Sequence, residues 1–172
     1  MEQSHHRVPA ATERLVFREM TVEDLDEMAA LLSDRDVMRY YPRPKDRAEA
    51  LAWIVWNQDL YQHEGFGLWV IARRDTGEFV GDCGVTPQEV EDVVDVEVGY
   101  HVRADLQGRG YATEAATACR DHAFGALGLR RLIAIIHPDN VPSQRVAEKI
   151  GLAYERDVTY GTGPARIYAA SR

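Results

Sequence analysis

The sequence predicts one mixed α/β (α+β) domain with a central sheet of about seven strands and helices on both faces. The 172 residues suffice for one domain and are too few for two ordinary ones. Segments with strand and helix periodicity follow one another in the order β-α-α-β-β-β-α-β-α-β-β. No repeat, low-complexity stretch or linker interrupts them. We therefore expect residues 13–172 to form the domain and residues 1–12 to be a flexible polar tail.

The N-terminal third is predicted to contain one strand and two helices. Alternation over Arg14–Met20 predicts the strand. Thr21 and Asp24 then form an acidic variant of the capping box. The helix that follows carries an apolar stripe formed by Leu25, Met28, Ala29 and Leu32. Two prolines in residues 40–44 predict a loop with two tyrosines, and a second helix is predicted from about Asp46 to His63.

The middle of the chain is predicted to be three strands. Phe66–Arg73 and Glu78–Thr86 have strand character and are joined at Asp75–Gly77, a hairpin signal with glycine in the tight turn. A polar loop is predicted over residues 87–92. The strand that follows, Val93–Val102, is rich in valine, which predicts burial.

Helices and strands alternate in the second half of the chain. One helix is predicted with a face of small apolar residues, and the second helix is ended by Gly151 at its C-terminus. The predicted elements are a helix over Gly110–Leu127, a buried strand over Arg131–Ile136, a helix over Asn140–Ile150, and closing strands over Leu152–Tyr160 and Ala165–Ala170.

Composition excludes several classes of protein. Hydrophobic residues make up 45% and charged residues 28%, which is typical of a soluble globular chain. A formal net charge of −8 gives no general attraction for phosphate backbones, so no nucleic-acid partner is expected. No stretch approaches the ~20 apolar residues of a membrane span, and no signal-peptide core is present. We therefore expect no membrane partner and a cytoplasmic location.

No metal site or disulfide is expected. Cys83 and Cys119 lie far apart without a CxxC pattern, which excludes a disulfide framework and a cysteine zinc site. Both fall on apolar faces of predicted elements and are interpreted as packed core thiols. His5 and His6 belong to the polar tail and are interpreted as solvated.

The most informative segment joins the valine-rich strand to the helix at Gly110. Gly108 and Gly110 allow the backbone to approach a phosphate, and the free amides of the first helical turn can donate to it. A Walker loop is excluded because Tyr and Ala follow Gly110. A dinucleotide fingerprint is excluded because only two glycines are present, late in the chain. The glycines alone also fit a turn that merely starts a helix.

The residues around these glycines resemble the GNAT acetyltransferase superfamily. Gln107-x-x-Gly110-x-Ala112 fits its Q/R-x-x-G-x-G/A signature between a strand and a long helix. About 30 residues further on, Asn140-x-x-Ser143 opens a helix, as in the second CoA-contacting motif of that family. The resemblance spans roughly residues 13–170. Glu97–Tyr100 and Gly108–Ala115 resemble the Rim-type branch, which acetylates ribosomal-protein N-termini among other amines.

The resemblance implies acetyl-CoA as cosubstrate and assigns residues to it. Backbone amides from Gln107 to Thr113 would hold the pyrophosphate, and main-chain groups near His101 and Val102 would pair with the pantetheine as an added strand does. The Asn140 side chain would steady the pantetheine arm. The residues implied to contact the coenzyme are His101, Val102, Gln107, Gly108, Arg109, Gly110, Tyr111, Ala112, Thr113, Asn140, Ser143 and Arg145, the last at the 3′-phosphate.

Glu97 and Ser143 are the candidate catalytic residues. An unpaired carboxylate among the valines of a central strand is costly unless it faces a wet cleft, so Glu97 is interpreted as general base or, alternatively, as a structural ion-paired residue. His101 is a second candidate base, with a packed histidine as the alternative. The resemblance implies that Ser143 protonates the departing sulfur; its alternative role is helix capping. The tyrosine that other family members carry four residues later is Ala147 here.

The resemblance implies an N-acetyltransferase whose acceptor is the α-amine of a protein or peptide N-terminus. An α-amine with a pKa of about 8 is roughly a tenth neutral at pH 7, so it tolerates a distant base. A small-molecule amine is the alternative acceptor, and a non-catalytic acyl-CoA sensor is the alternative of another class. Aromatic side chains that could line the acceptor pocket are Tyr40, Tyr41, Trp69 and Tyr160, although ordinary core packing is the favoured interpretation of Trp69. The resemblance also implies a homodimer.

Overall fold

The structure, a computed structural model, describes residues 7–172. Two short 3-10 turns, Val22–Asp24 and Ala104–Leu106, accompany the main elements. These elements are β1 (Leu15–Arg18), α1 (Leu25–Ser33), α2 (Arg47–His63), β2 (Leu68–Arg73), β3 (Phe79–Val90), β4 (Val93–Val102), α3 (Tyr111–Phe124), β5 (Arg131–Ile136), α4 (Val141–Lys149), β6 (Ala153–Tyr160) and β7 (Gly163–Ser171). The predicted order of strands and helices is confirmed.

The sheet has seven strands in the order β1-β2-β3-β4-β5-β7-β6. Neighbouring strands are antiparallel except β4 and β5, which are parallel. Within residues 7–172 these two strands are in register only at Glu97 and Ile133. Beyond that point β4 continues to pair with β3 as far as Val102 opposite Gly81. The sheet therefore opens between its two parallel strands.

Helices cover both faces of the sheet. Consecutive side chains of a strand point to opposite faces, so Asp82 and Cys83 of β3 distinguish them. Asp82 accepts a hydrogen bond from Trp53 of α2, whereas Cys83 contacts Cys119 of α3. The α1–α2 pair therefore lies on one face, and α3 with α4 lies on the other. The two cysteines are buried with their Sγ atoms 3.5 Å apart, as the packed-thiol interpretation predicts.

The prediction of a polar loop over residues 87–92 is wrong. Strand β3 runs on to Val90, and only Glu91 and Asp92 form the turn. Both turn residues have left-handed backbone angles, with φ of 49° and 66°. Two residues of that conformation match the right-handed twist of a hairpin, so the strands continue up to them. The polar composition of the segment concealed this strand, because one face of it is exposed.

Part of the predicted tail contacts the domain. Val8 packs against the core, and the Thr12 hydroxyl donates a 2.6 Å hydrogen bond to Glu114 of α3. The first six residues, with His5 and His6, lie outside the described residues. Of the helices in residues 7–172, none has the length and apolar character to cross a bilayer.

Candidate active site

The loop before α3 presents a group of free backbone donors. Gly108 and Gly110 adopt left-handed φ angles of 74° and 82°, which glycine accepts without strain. The first intrahelical hydrogen bond runs from the Glu114 amide to the Gly110 carbonyl at 3.0 Å. Within the described chain, none of the amides of residues 108–113 has a hydrogen-bond partner. This N-terminus of a 14-residue helix therefore fits a phosphate group.

Arg14 of the N-terminal segment holds this loop in place. Its guanidinium donates to the Arg109 carbonyl at 3.0 Å and to the Glu114 carboxylate at 2.7 Å. It also lies 4.3 Å from the centre of the Tyr111 ring. Burial raises the pKa of Glu114, but hydrogen bonds from Thr12 and Arg14 outweigh it and lower the pKa overall. Arg14 was missed in the sequence because it lies 95 residues before Arg109.

The opening between β4 and β5 leaves one edge of β4 unpaired. Residues 98–102 form a ladder with β3 on one side, and their other side faces the gap. An extended ligand can add to such an edge as a strand does. The Val102 carbonyl already accepts a 3.0 Å hydrogen bond from the Gln107 side chain. Gln107 thus ties the loop before α3 to the end of β4. This loop, residues 107–110, is called the phosphate loop below.

The N-terminus of α4 faces Tyr100 of β4. Asn140 caps the helix, since its side-chain oxygen accepts a 3.3 Å hydrogen bond from the Ser143 amide. The Ser143 hydroxyl lies 2.8 Å from the Tyr100 hydroxyl, which also donates to the Ser143 carbonyl at 2.9 Å. Burial raises the pKa of the Tyr100 phenol, so Tyr100 keeps its proton at neutral pH. Sequence reasoning gave Tyr100 no role, although it lies in the Rim-like segment.

Arg109 and Arg145 are the exposed cations of the predicted coenzyme set. Neither side chain has an ion pair or hydrogen bond within residues 7–172. Arg109 lies in the phosphate loop and Arg145 one turn into α4. Both guanidinium groups are therefore accessible to a phosphate.

Glu97 is partly buried on the α2 face of β4, at the point where β4 and β5 part. Its carboxyl group has no hydrogen-bond or ion-pair partner in the described chain. Because burial disfavours the charged form, the pKa of Glu97 rises to about 8. The group is mainly protonated at pH 7 and becomes a carboxylate as the pH passes 8.

Both ring nitrogens of His101 are occupied. Its Nδ1 lies 2.6 Å from Asp82, and its Nε2 lies 2.6 Å from the Tyr41 hydroxyl. The Asp82 side chain is fully buried and accepts a second hydrogen bond, of 3.1 Å, from Trp53. His101 therefore belongs to a buried chain of hydrogen bonds that ends at Tyr41.

Three of the four predicted pocket aromatics lie in loops or at strand ends. Charge on Glu97 contributes to raising the pKa of both Tyr41 and Tyr160, after the larger effect of burial, so both phenols lie near that carboxyl group. Tyr40 stacks near His137, with ring centroids 5.4 Å apart. Trp69 does not line the pocket: its side chain is fully buried on the α3 face, against His122, as the favoured core-packing interpretation predicts.

The sheet opens between two parallel strands, and free helix amides and an unpaired carboxyl group lie beside this opening. The arrangement fits an extended ligand that carries phosphate. Residues 14–153 match the Acetyltransferase (GNAT) domain, and the chain belongs to this family. It is an acetyl-CoA-dependent N-acetyltransferase, as predicted. Among the described residues no group of side chains could hold a metal ion.

Curated relatives and solved structures agree with this assignment. The Bacillus subtilis protein YkkB is 39% identical over 158 residues, which are 91% of this chain and 92% of YkkB. Spermidine N(1)-acetyltransferase of Escherichia coli K12 is 26% identical over 152 residues, 84% of this chain and 75% of the enzyme.

Two solved structures illustrate the fold. The acetyltransferase from Agrobacterium tumefaciens C58 superposes with a TM-score of 0.84 at 26% identity, covering 96% of this chain and 95% of its own. RimL, a ribosomal L7/L12 α-N-protein acetyltransferase solved with coenzyme A, superposes with a TM-score of 0.76 at 17% identity. The match covers 94% of this chain and 96% of the RimL chain. At that identity the likeness to RimL concerns the fold alone.

Proposed function

We propose that this chain acetylates the α-amine of a protein or peptide N-terminus, in the manner of the Rim-type branch, with Glu97 as general base. The observation that carries the proposal is the unpaired Glu97 carboxyl group at the opening of the sheet. Its pKa of about 8 is close to that of an α-amine, so proton transfer between them is nearly balanced.

The coenzyme would lie along the opening of the sheet. The free amides of residues 108–113 would hold its pyrophosphate, and the unpaired edge of β4 near His101 and Val102 would pair with the pantetheine. Asn140 would steady the pantetheine, and Arg109 and Arg145 would neutralise phosphate charge. Acetyl-CoA supplies the activated acetyl group as a thioester.

Ser143 and Tyr100 would together protonate the departing sulfur. Tyr100 can donate its hydrogen to the Ser143 carbonyl and accept the Ser143 hydroxyl hydrogen, or it can donate to the Ser143 hydroxyl instead. A hydroxyl pair so arranged keeps a proton available in the gap between β4 and α4. Tyr100 would thereby supply the phenol that Ala147 lacks.

A single unpaired carboxyl group favours an acceptor with a single positive charge. Asp82 is engaged by His101 and Trp53, and Asp95 of β4 is paired with Arg131 at 3.1 Å. A polyamine carries further charges that would have to be matched by other carboxylates near the cleft. The likeness to spermidine N(1)-acetyltransferase keeps small amines as the second candidate.

The experiment is a coupled measurement of CoA thiol release and acetylated product by mass spectrometry. The acceptors are short peptides with free N-termini, matched peptides with blocked N-termini, and polyamines. We expect acetylation at the free α-amine, with kcat/KM at least about tenfold above that for spermidine. A higher kcat/KM for spermidine would transfer the proposal to small amines. Coenzyme binding without thiol release for any amine would indicate a non-catalytic acyl-CoA sensor.

The assembly and the location of the protein belong to the same proposal. The family resemblance favours a homodimer, and we propose a cytoplasmic location. Light scattering of the purified chain tests the first, since a mass of 19.4 kDa at all concentrations would mean a monomer. Fractionation of cells that express the chain tests the second.

A further inference from the structure

Tyr41 is anchored at its hydroxyl, although much of the residue is exposed. The residue is 43% exposed, yet its hydroxyl lies 2.6 Å from His101 Nε2. The two rings are tilted, with centroids 5.4 Å apart. Tyr41 comes from the loop between α1 and α2, whereas His101 comes from the end of β4. The phenol therefore bridges this loop to the strand that carries Glu97.

The buried chain behind Tyr41 fixes the direction of its hydrogen bond. Asp82 is a carboxylate and can only accept, so the hydrogen of His101 lies on Nδ1. In the tautomer with its hydrogen on Nδ1, His101 presents a lone pair at Nε2, and Tyr41 donates its hydroxyl hydrogen there. The remaining lone pairs of the Tyr41 oxygen can only accept. Trp53, which donates to the other oxygen of Asp82, holds the chain in this arrangement.

We infer that the Tyr41 oxygen, locked as an acceptor by His101 and Asp82, is a specificity-determining group that receives an N–H of the substrate ammonium beside Glu97. The inference rests on the proposed function, because it concerns the same acceptor site. Two acceptors on one side of the cleft suit an ammonium group with several hydrogens. A trimethylammonium group has the same charge but no hydrogen to donate. Only the unmodified ammonium group can therefore donate hydrogen bonds to both Tyr41 and Glu97.

The test compares a peptide carrying a free α-ammonium with the same peptide N-trimethylated. Enzyme saturated with CoA, instead of acetyl-CoA, binds both without reaction, and calorimetry gives both dissociation constants. A hydrogen bond to a charged donor corresponds to about a tenfold or larger preference for the ammonium peptide in the wild-type protein. In Tyr41→Phe we expect this preference to fall about tenfold and the affinity for the trimethylated peptide to stay within about twofold.

Tyr154→Phe is the matched control, since Tyr154 is a 52% exposed tyrosine on β6. It should leave both dissociation constants unchanged. An unchanged preference in Tyr41→Phe, or an equal loss of affinity for both peptides, would overturn the inference. Either result leaves the proposed function intact if the wild type still acetylates peptides. Absence of peptide acetylation by the wild type would count against the proposed function separately.

Discussion

At the scale of the residue, the proposed chemistry of the site depends chiefly on Glu97. A carboxyl group that is partly buried without a partner is costly, and here the cost is expressed as a pKa raised to about 8. The position in the sequence already indicated this group, because a glutamate interrupts a run of valines. What the structure adds is its place at the parting of β4 and β5, next to the phenols of Tyr41 and Tyr160.

Glu97→Gln should lower kcat/KM about a hundredfold or more, because it removes the proton acceptor and keeps the size of the side chain. With an acceptor whose amine pKa lies well below 7, wild-type kcat/KM should rise with pH through about 8, as Glu97 becomes ionised. The variant should lack this rise. Steady-state kinetics between pH 6 and 9.5 measure both effects.

The CoA dissociation constant of Glu97→Gln, which should equal that of the wild type, is the control. If the rise near pH 8 persisted in the variant, the base would be another group.

At the scale of the element, two junctions position the site. The first is the loop before α3, which Arg14 ties to β1. The second is the close approach of β3 to the residues before β2, where Gly84 leaves no space for a side chain. A Cβ at Gly84 would lie 2.0 Å from the Gly67 carbonyl oxygen. Both junctions fix the shape of the sheet and of the loop before α3.

Arg14→Met should weaken CoA binding about three- to tenfold without loss of folding. The substitution keeps the apolar stem and removes the donor to the Arg109 carbonyl, so the loop amides become less preorganised. Calorimetric titration with CoA gives the dissociation constant. Arg7→Met, at a side chain 70% exposed, is the control and should bind CoA as the wild type does. Wild-type affinity in Arg14→Met would show that the loop holds its shape without Arg14.

Gly84→Ala should destabilise the protein by about 3 kcal/mol, because backbone atoms must move to admit the methyl group. Gly163→Ala is the matched comparison, since a Cβ there meets nothing within 4 Å, and its stability should lie within about 0.5 kcal/mol of the wild type. Urea unfolding of both variants measures the difference. Equal stabilities would mean that β3 and the residues before β2 can separate at little cost.

At the scale of the whole molecule, the candidate site lies where the helical layers of the two sheet faces meet. The phosphate loop and α4 lie with α3 on one face, and α2 with Tyr41 approaches from the other. The parted strands β4 and β5 join the two sides. A ligand that fills this opening contacts both layers, so its binding should stabilise the domain as a whole.

Acetyl-CoA should therefore raise the melting temperature. At a concentration of about 100 times the dissociation constant, the stabilisation is about 2.7 kcal/mol, or a shift of about 5–10 °C for a chain of this size. Differential scanning fluorimetry measures it. NAD and ATP at the same concentration should shift the melting temperature by less than about 1 °C. Equal shifts for all three ligands would indicate nonspecific phosphate binding.

The sequence by itself determined the order of the elements, the glycine loop before α3 and the capped start of α4. Helix amides, glycine angles and the Asn140 cap depend on neighbouring residues, so a short pattern contains them. Reliance on local composition also produced the wrong prediction over residues 87–92, where polar residues concealed the end of strand β3.

Only the tertiary structure decided which distant side chains share the cleft. Tyr41 meets His101 across 60 residues, Tyr100 meets Ser143 across 43, and Arg14 meets Arg109 across 95. Alternation along a strand assigns side chains to two faces, but it does not say which helix covers each face. For this reason the sequence left both a pocket role and core packing open for Trp69, and its side chain lies in the core against His122 of α3. The packing of the helices decides which face of the sheet each one covers. This packing depends on complementary surfaces of elements that are far apart in the chain, so a local pattern does not contain it.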